Sequence, residues 1–158
     1  MESPKKVITK NEAVSKIESY CAYQERSQKE VRYKLIDLGI YGEDLETIIS
    51  DLIQQNFLNE ERFAKAYALG KFRMKQWGKI KIRQGLKLKG VPEKLIQKAL
   101  KQIDDDDYYQ TLATLLDKKT LQTVAKNPIQ NRYKLSQYAT AKGYERDLIF
   151  EILRDKEL

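Results

Sequence analysis

Lys79-Ile-Lys-Ile-Arg-Gln-Gly-Leu-Lys-Leu-Lys89 is the stretch on which the fold turns. Polar and apolar residues alternate through it, which is a strand pattern. Gln84-Gly85 would serve as the hairpin turn, although Asn-Gly or Asp-Gly is the stronger signal. As a helix, the same residues put Ile82 and Leu86 on one face at i and i+4. Gly85 then costs about 1 kcal/mol relative to alanine. Periodicity within the segment leaves helix and hairpin level, and its surroundings must decide.

The surroundings repeat. Gly39, Gly90 and Gly143 each follow a helical run and suit a C-terminal cap, and they are spaced by 51 and 53 residues. Aligned on them, Val31, Ile82 and Leu135 coincide, as do Leu35, Leu86 and Ala139. With one extra residue at Tyr41-Gly42, Leu45, Leu95 and Leu148 align, and so do Ile49, Ala99 and Ile152. The flanking copies read as helices at this position, so 79–89 does too. Ile80 and Leu88 then point away from Ile82, toward a neighbouring repeat or a partner.

Helix starts are marked throughout. Thr9 with Glu12 and Ser27 with Glu30 fit the capping box. Asn59 caps the next helix, with Leu58 and Phe63 at the staple positions. Asn127-Pro128 is a cap followed by proline at the first helical position, and Pro92 suits a first turn. The fold expected is all-α: three tandem three-helix repeats in an elongated, curved array, because a short helical triplet needs neighbours to complete its core. First helices fall near 10–25, 59–76 and 106–119. Second helices fall near 27–38, 78–89 and 128–142, and third helices near 43–56, 92–103 and 145–156. The divisions are a tail at 1–9, then repeats at 10–57, 58–104 and 105–158.

Composition closes off several classes. The chain has 158 residues and no histidine, which excludes a Ser-His-Asp triad and histidine acid-base chemistry. One cysteine, Cys21, permits no internal disulfide and reads as a small buried hydrophobe. No run approaches 18 apolar residues, and the first ten lack a signal-peptide core, so a soluble cytoplasmic protein is expected. Asp104 to Asp107 invite a magnesium site. Carboxylates before and within a helix's first turn already stabilise its positive end, which is the better reading. No cofactor and no metal are expected.

The +7 net charge is unevenly placed. Residues 1–59 carry 8 basic and 10 acidic side chains, net −2. Residues 60–103 carry 13 and 3, net +10, and residues 104–158 carry 9 and 10, net −1. A block of this kind attracts polyanions or an acidic protein surface. The candidate partner-binding residues are Lys71, Arg73, Lys75, Lys79, Lys81, Arg83, Lys87 and Lys89. Tyr67 and Trp77 are candidate aromatic contacts, with repeat packing as their alternative role. Phe63 reads as core.

Three segments carry a resemblance: Asn56-Phe-Leu-Asn-Glu-Glu-Arg-Phe-Ala-Lys-Ala-Tyr67, Trp77-Gly-Lys-Ile-Lys-Ile-Arg83 and Leu86-Lys-Leu-Lys-Gly-Val91. Together they resemble the central motif of the RecX family of RecA regulators. Arg26-Ser27, Glu30-Val31, Leu35 and Gly39 look like that family's opening helices, and 135–153 matches more weakly. Asn59 stands where the family often has Asp, and Gly85 where Glu is common. The resemblance implies a non-enzymatic, monomeric modulator of three three-helix repeats. It implies binding in the groove of the RecA filament on DNA, and inhibition of ATP hydrolysis, strand exchange and coprotease activity. DNA repair, homologous recombination and the SOS response are the processes concerned. DNA contact would be mainly non-specific, through phosphates, with no membrane partner.

A rival reading is a direct DNA-binding protein or transcriptional regulator that uses the basic middle repeat. A recognition helix needs side chains aimed at base edges, and only Arg73, Gln76, Arg83 and Gln84 qualify.

Overall fold

The computed structural model describes residues 8–158, and most of the expected tail at 1–9 lies outside them. Among the described residues there are nine α-helices and no strand. They are α1 Lys10–Tyr23, α2 Gln28–Asp37, α3 Gly42–Gln54, α4 Glu60–Lys75, α5 Lys79–Leu88, α6 Glu93–Lys101, α7 Asp105–Gln122, α8 Pro128–Ala141 and α9 Arg146–Asp155. The alternating stretch is helical in α5, with Ile82 and Leu86 fully buried.

Local chemistry sets the boundaries. Ser27 and Glu30 form a reciprocal capping box on α2. At α1 only half of one forms, with Thr9 Oγ1 accepting from the Glu12 amide at 3.1 Å. Asn59, Asp104 and Asn127 cap α4, α7 and α8 through their side chains. Pro128 occupies the first turn of α8, whereas Pro92 sits one position earlier than expected, as the N-cap of α6.

The three second helices end identically. Gly39, Gly90 and Gly143 take φ of +87°, +77° and +97°, a left-handed conformation that strains any residue with a Cβ. The next amide then reaches back to the carbonyl of Leu35, Leu86 or Ala139, at 2.9, 3.1 and 3.2 Å. This closes a Schellman turn three times over. The aligned apolar positions are buried as the repeat requires: Val31, Ile82 and Leu135 are fully enclosed, and Ile49, Ala99 and Ile152 nearly so. Leu95 and Leu148 are only half-buried, unlike their counterpart Leu45.

The core is divided in two. One cluster is confined to α1–α3 and ends at Leu58. The other runs from Phe63 through α9 without a break, so the second and third repeats share it. Leu58 and Phe63, at the staple positions around Asn59, therefore enter different cores.

Candidate partner-binding surface

The basic stretch is shaped by how α4 turns into α5. Gln76 ends α4 in a left-handed conformation, φ 58°, and its carbonyl accepts from the Tyr144 hydroxyl at 2.9 Å. The first amides of a helix have no partner within it. In α5 the third repeat supplies them. The amides of Gly78 and Ile80 donate to the carbonyls of Lys142 and Gly143 at 2.8 and 3.0 Å, and that of Lys79 to the Tyr108 hydroxyl at 2.9 Å. Tyr108 in turn donates to Glu145. Burial and that carboxylate push the Tyr108 hydroxyl far above its ordinary range, so it stays a donor. Sequence reasoning passed over Tyr108, Tyr144 and Glu145 as functional positions. Their only sequence signal was the apolar helical position of Tyr108 and the place of Tyr144 directly after the capping Gly143.

Gly78 is required by this seam rather than by its φ of −76°. A Cβ there would fall on the Gly143 carbonyl and the Tyr144 amide. A Cβ on Gly143 would lie 2.7 Å from the Lys81 nitrogen. Gly85 has a different cause: a Cβ would come within 2.9 Å of Tyr67 Cζ, so the half-buried Tyr67 ring lies across α5 where a side chain would otherwise stand.

The eight cations separate by what they touch. Arg83 pairs with Glu93, Lys89 with Glu30 of the first repeat at 3.6 Å, and Lys79 with Asp105 at 3.8 Å while lying 4.7 Å over the Tyr108 ring. Lys71, Arg73, Lys75, Lys81 and Lys87 have no carboxylate within 4.0 Å among the described residues. Two of these five converge. The ammonium of Lys71 lies 4.9 Å and that of Lys81 4.7 Å from the centre of the half-buried Trp77 ring. Arg73 instead lines a cleft against α7 beside Asp107 and Gln110. Lys75 and Lys87 are exposed. Trp77 thus both packs against the second core and holds two unneutralised charges on its ring.

Of the base-reading candidates, Arg83 is taken by Glu93. That leaves Arg73, Gln76 and Gln84 from the four. Asp104 accepts from the Asp107 amide at 3.0 Å, a side-chain cap at the helix start where the acidic run was expected to stabilise the positive end. No helix among the described residues is long and apolar enough to cross a membrane.

Residues 59–100 match the family pattern described as the second three-helix domain of RecX, and residues 105–153 match the third. The chain is 33% identical over 133 residues to the regulatory protein RecX of Clostridium perfringens, covering 82% of this chain and 61% of that one. It is 31% identical to RecX of Thermotoga petrophila, covering 83% and 76% respectively. The crystal structure of RecX from Lactobacillus salivarius superposes with a TM-score of 0.85 at 25% identity, covering 92% of this chain and 95% of that one. The chain spans just over half to three fifths of the length of the first curated relatives it matches. With caps, glycines and buried positions repeating as they do, the chain belongs to the RecX family of regulatory proteins.

Proposed function

We propose that this chain binds the RecA nucleoprotein filament and inhibits RecA ATP hydrolysis, strand exchange and coprotease activity. It would thereby regulate recombination and DNA repair in the cytoplasm. Membership of the RecX regulatory family carries this reading. Five unneutralised cations on α4 and α5 support it, because they can meet acidic residues of a protein polymer or phosphates of the DNA within. The action is one of binding, each exposed charge contributing modestly and in a salt-sensitive way.

The test is titration of purified protein into RecA from the same organism during DNA-dependent ATP hydrolysis. Inhibition at low molar ratio is expected. No effect across the titration, with filament binding also absent, rejects the reading. Reversing Lys79 and Arg83 would break internal pairs as well as remove surface charge. The informative variant is therefore Lys71→Glu, Lys81→Glu and Lys87→Glu together, which should weaken inhibition with helicity intact. Retained inhibition by that folded variant moves the contact to another surface.

A further inference from the structure

In the first two repeats an ion pair bridges the second helix to the third: Arg32 with Glu46, and Arg83 with Glu93. The third repeat has lost this bridge at both ends. Aligned on the capping glycines, Ser136 stands where Arg32 and Arg83 stand. Aligned on Ile49, Ala99 and Ile152, Ile149 takes the place of Glu46, and Arg146 that of Glu93.

Where the bridge would lie there is an open groove of about 880 Å³ between α8 and α9. Ile129, Tyr133, Gln137 and Ala141 follow one another along α8 at four-residue steps, so the groove runs for about 18 Å. Ser136 and Thr140, both small, give it depth, and Ile80 of α5 and Phe150 of α9 complete its apolar lining. Ile129 is 83% and Tyr133 61% exposed, so these apolar groups face solvent. Ile80, which turns away from Ile82, ends here rather than in the core of its own repeat.

Two guanidinium groups and no carboxylate line the groove. Arg132 donates from Nε to the Leu158 carbonyl at 2.8 Å. Arg146 lies 5.4 Å from the centre of the Phe150 ring and has no carboxylate within 4.0 Å among the described residues. The second repeat carries an acid at this position and an arginine to meet it. Here the position holds the cation, and the complementary acid is left for a partner to bring.

An open apolar groove about three helical turns long, with an unpaired guanidinium beside it, suits a helix laid lengthwise. We infer that it docks an amphipathic helix of a partner protein, whose apolar stripe fills the groove and whose Asp or Glu pairs with Arg146. A small amphiphile would be enclosed more fully than this exposed lining allows. The inference goes beyond the RecA reading, because none of the five cations invoked there lines this groove.

The probe is a display library of helices about 15 residues long, apolar at i, i+4, i+7 and i+11, with Asp, Glu, Lys and Arg varied elsewhere. It is panned against the full chain without RecA. Enriched sequences should carry acids beside the apolar stripe and should bind saturably as synthetic peptides. Tyr133→Ala, at an exposed position, should weaken them about tenfold. Arg146→Gln should weaken them about fivefold, and that loss should shrink as salt is raised. Ser136→Arg with Arg146→Glu rebuilds the bridge of the second repeat and should abolish binding with helicity intact. The inference falls if basic helices are enriched as readily as acidic ones or none is enriched. It falls too if Tyr133→Ala binds the peptides like the parent. A dimer of the chain alone that Tyr133→Ala dissolves would put a second copy in the groove and overturn it as well. RecA is absent throughout, so failure here leaves the ATP-hydrolysis result standing.

Discussion

The junction between the first and second repeats and the junction between the second and third are built from different materials. At the first, side chains reach across: Arg62 to Glu25, Lys89 to Glu30, and Lys29 to the Leu88 carbonyl at 2.9 Å. The apolar clusters on its two sides are separate. At the second, backbone amides bond backbone carbonyls, and Phe72, Tyr108 and Tyr144 pack ring to ring, with centroids 5.8 and 5.1 Å apart. Exposed ion pairs are worth little and are screened by salt, whereas a shared core is worth much and is not. The rear two repeats are joined by one apolar core and a main-chain seam, and the first repeat is attached to them through side chains; the rear pair is therefore expected to unfold as one body and the first repeat separately.

The most damaging way to break this contrast is Gly78→Ala. The added methyl would force the Gly143 carbonyl away, and a loss of about 3 kcal/mol or more is expected in urea unfolding. Gly39→Ala is the control: nothing lies within 4 Å of its Cβ position, so only the φ of +87° is strained, costing about 1 kcal/mol. Equal losses would mean that the rear seam is softer than described.

Tyr108→Phe removes the acceptor of the Lys79 amide and the donor to Glu145 together. Between about 1 and 3 kcal/mol should go, measured the same way. Gly85→Ala should destabilise by about 1 kcal/mol because Tyr67 must move, despite alanine's helix preference. In a Tyr67→Leu background the same change should reverse sign and stabilise. A double-mutant cycle on this pair sharpens the account of the second repeat.

Arg62→Ala should cost less than about 1 kcal/mol, shrinking further as salt is raised. Cys21 and Trp77 report separately on the two bodies. In urea, Cys21 should become open to thiol reagents before the Trp77 emission changes, and coincident transitions would merge the bodies into one. Burial pushes the Cys21 thiol up to about 11. The folded state thus favours the neutral thiol. That contribution is complete below pH 9 and is lost as pH rises through about 11, so labelling below pH 9 is the clean assay.

The helices were legible because their determinants are local. A cap such as Ser27 acts on Glu30, and the three capping glycines act within one turn. The alternating stretch misleads locally, and only its alignment with two sister segments corrects it. The candidate site was legible in charge but not in pairing. Lys89 finds Glu30 and Lys79 finds Asp105, in other repeats, and no spacing rule connects them. Gly78 likewise reads as an ordinary helix start until the loop at Gly143 is set against it.

That contact has a mechanical side. The carbonyls that finish α8 meet the amides that begin α5, so two helix dipoles run in series, negative end to positive end. A pull exerted on the rear modules by a bound partner would travel through main-chain bonds instead of through side-chain tips. Exterior side chains can then be exchanged without touching a main-chain hydrogen bond of this linkage.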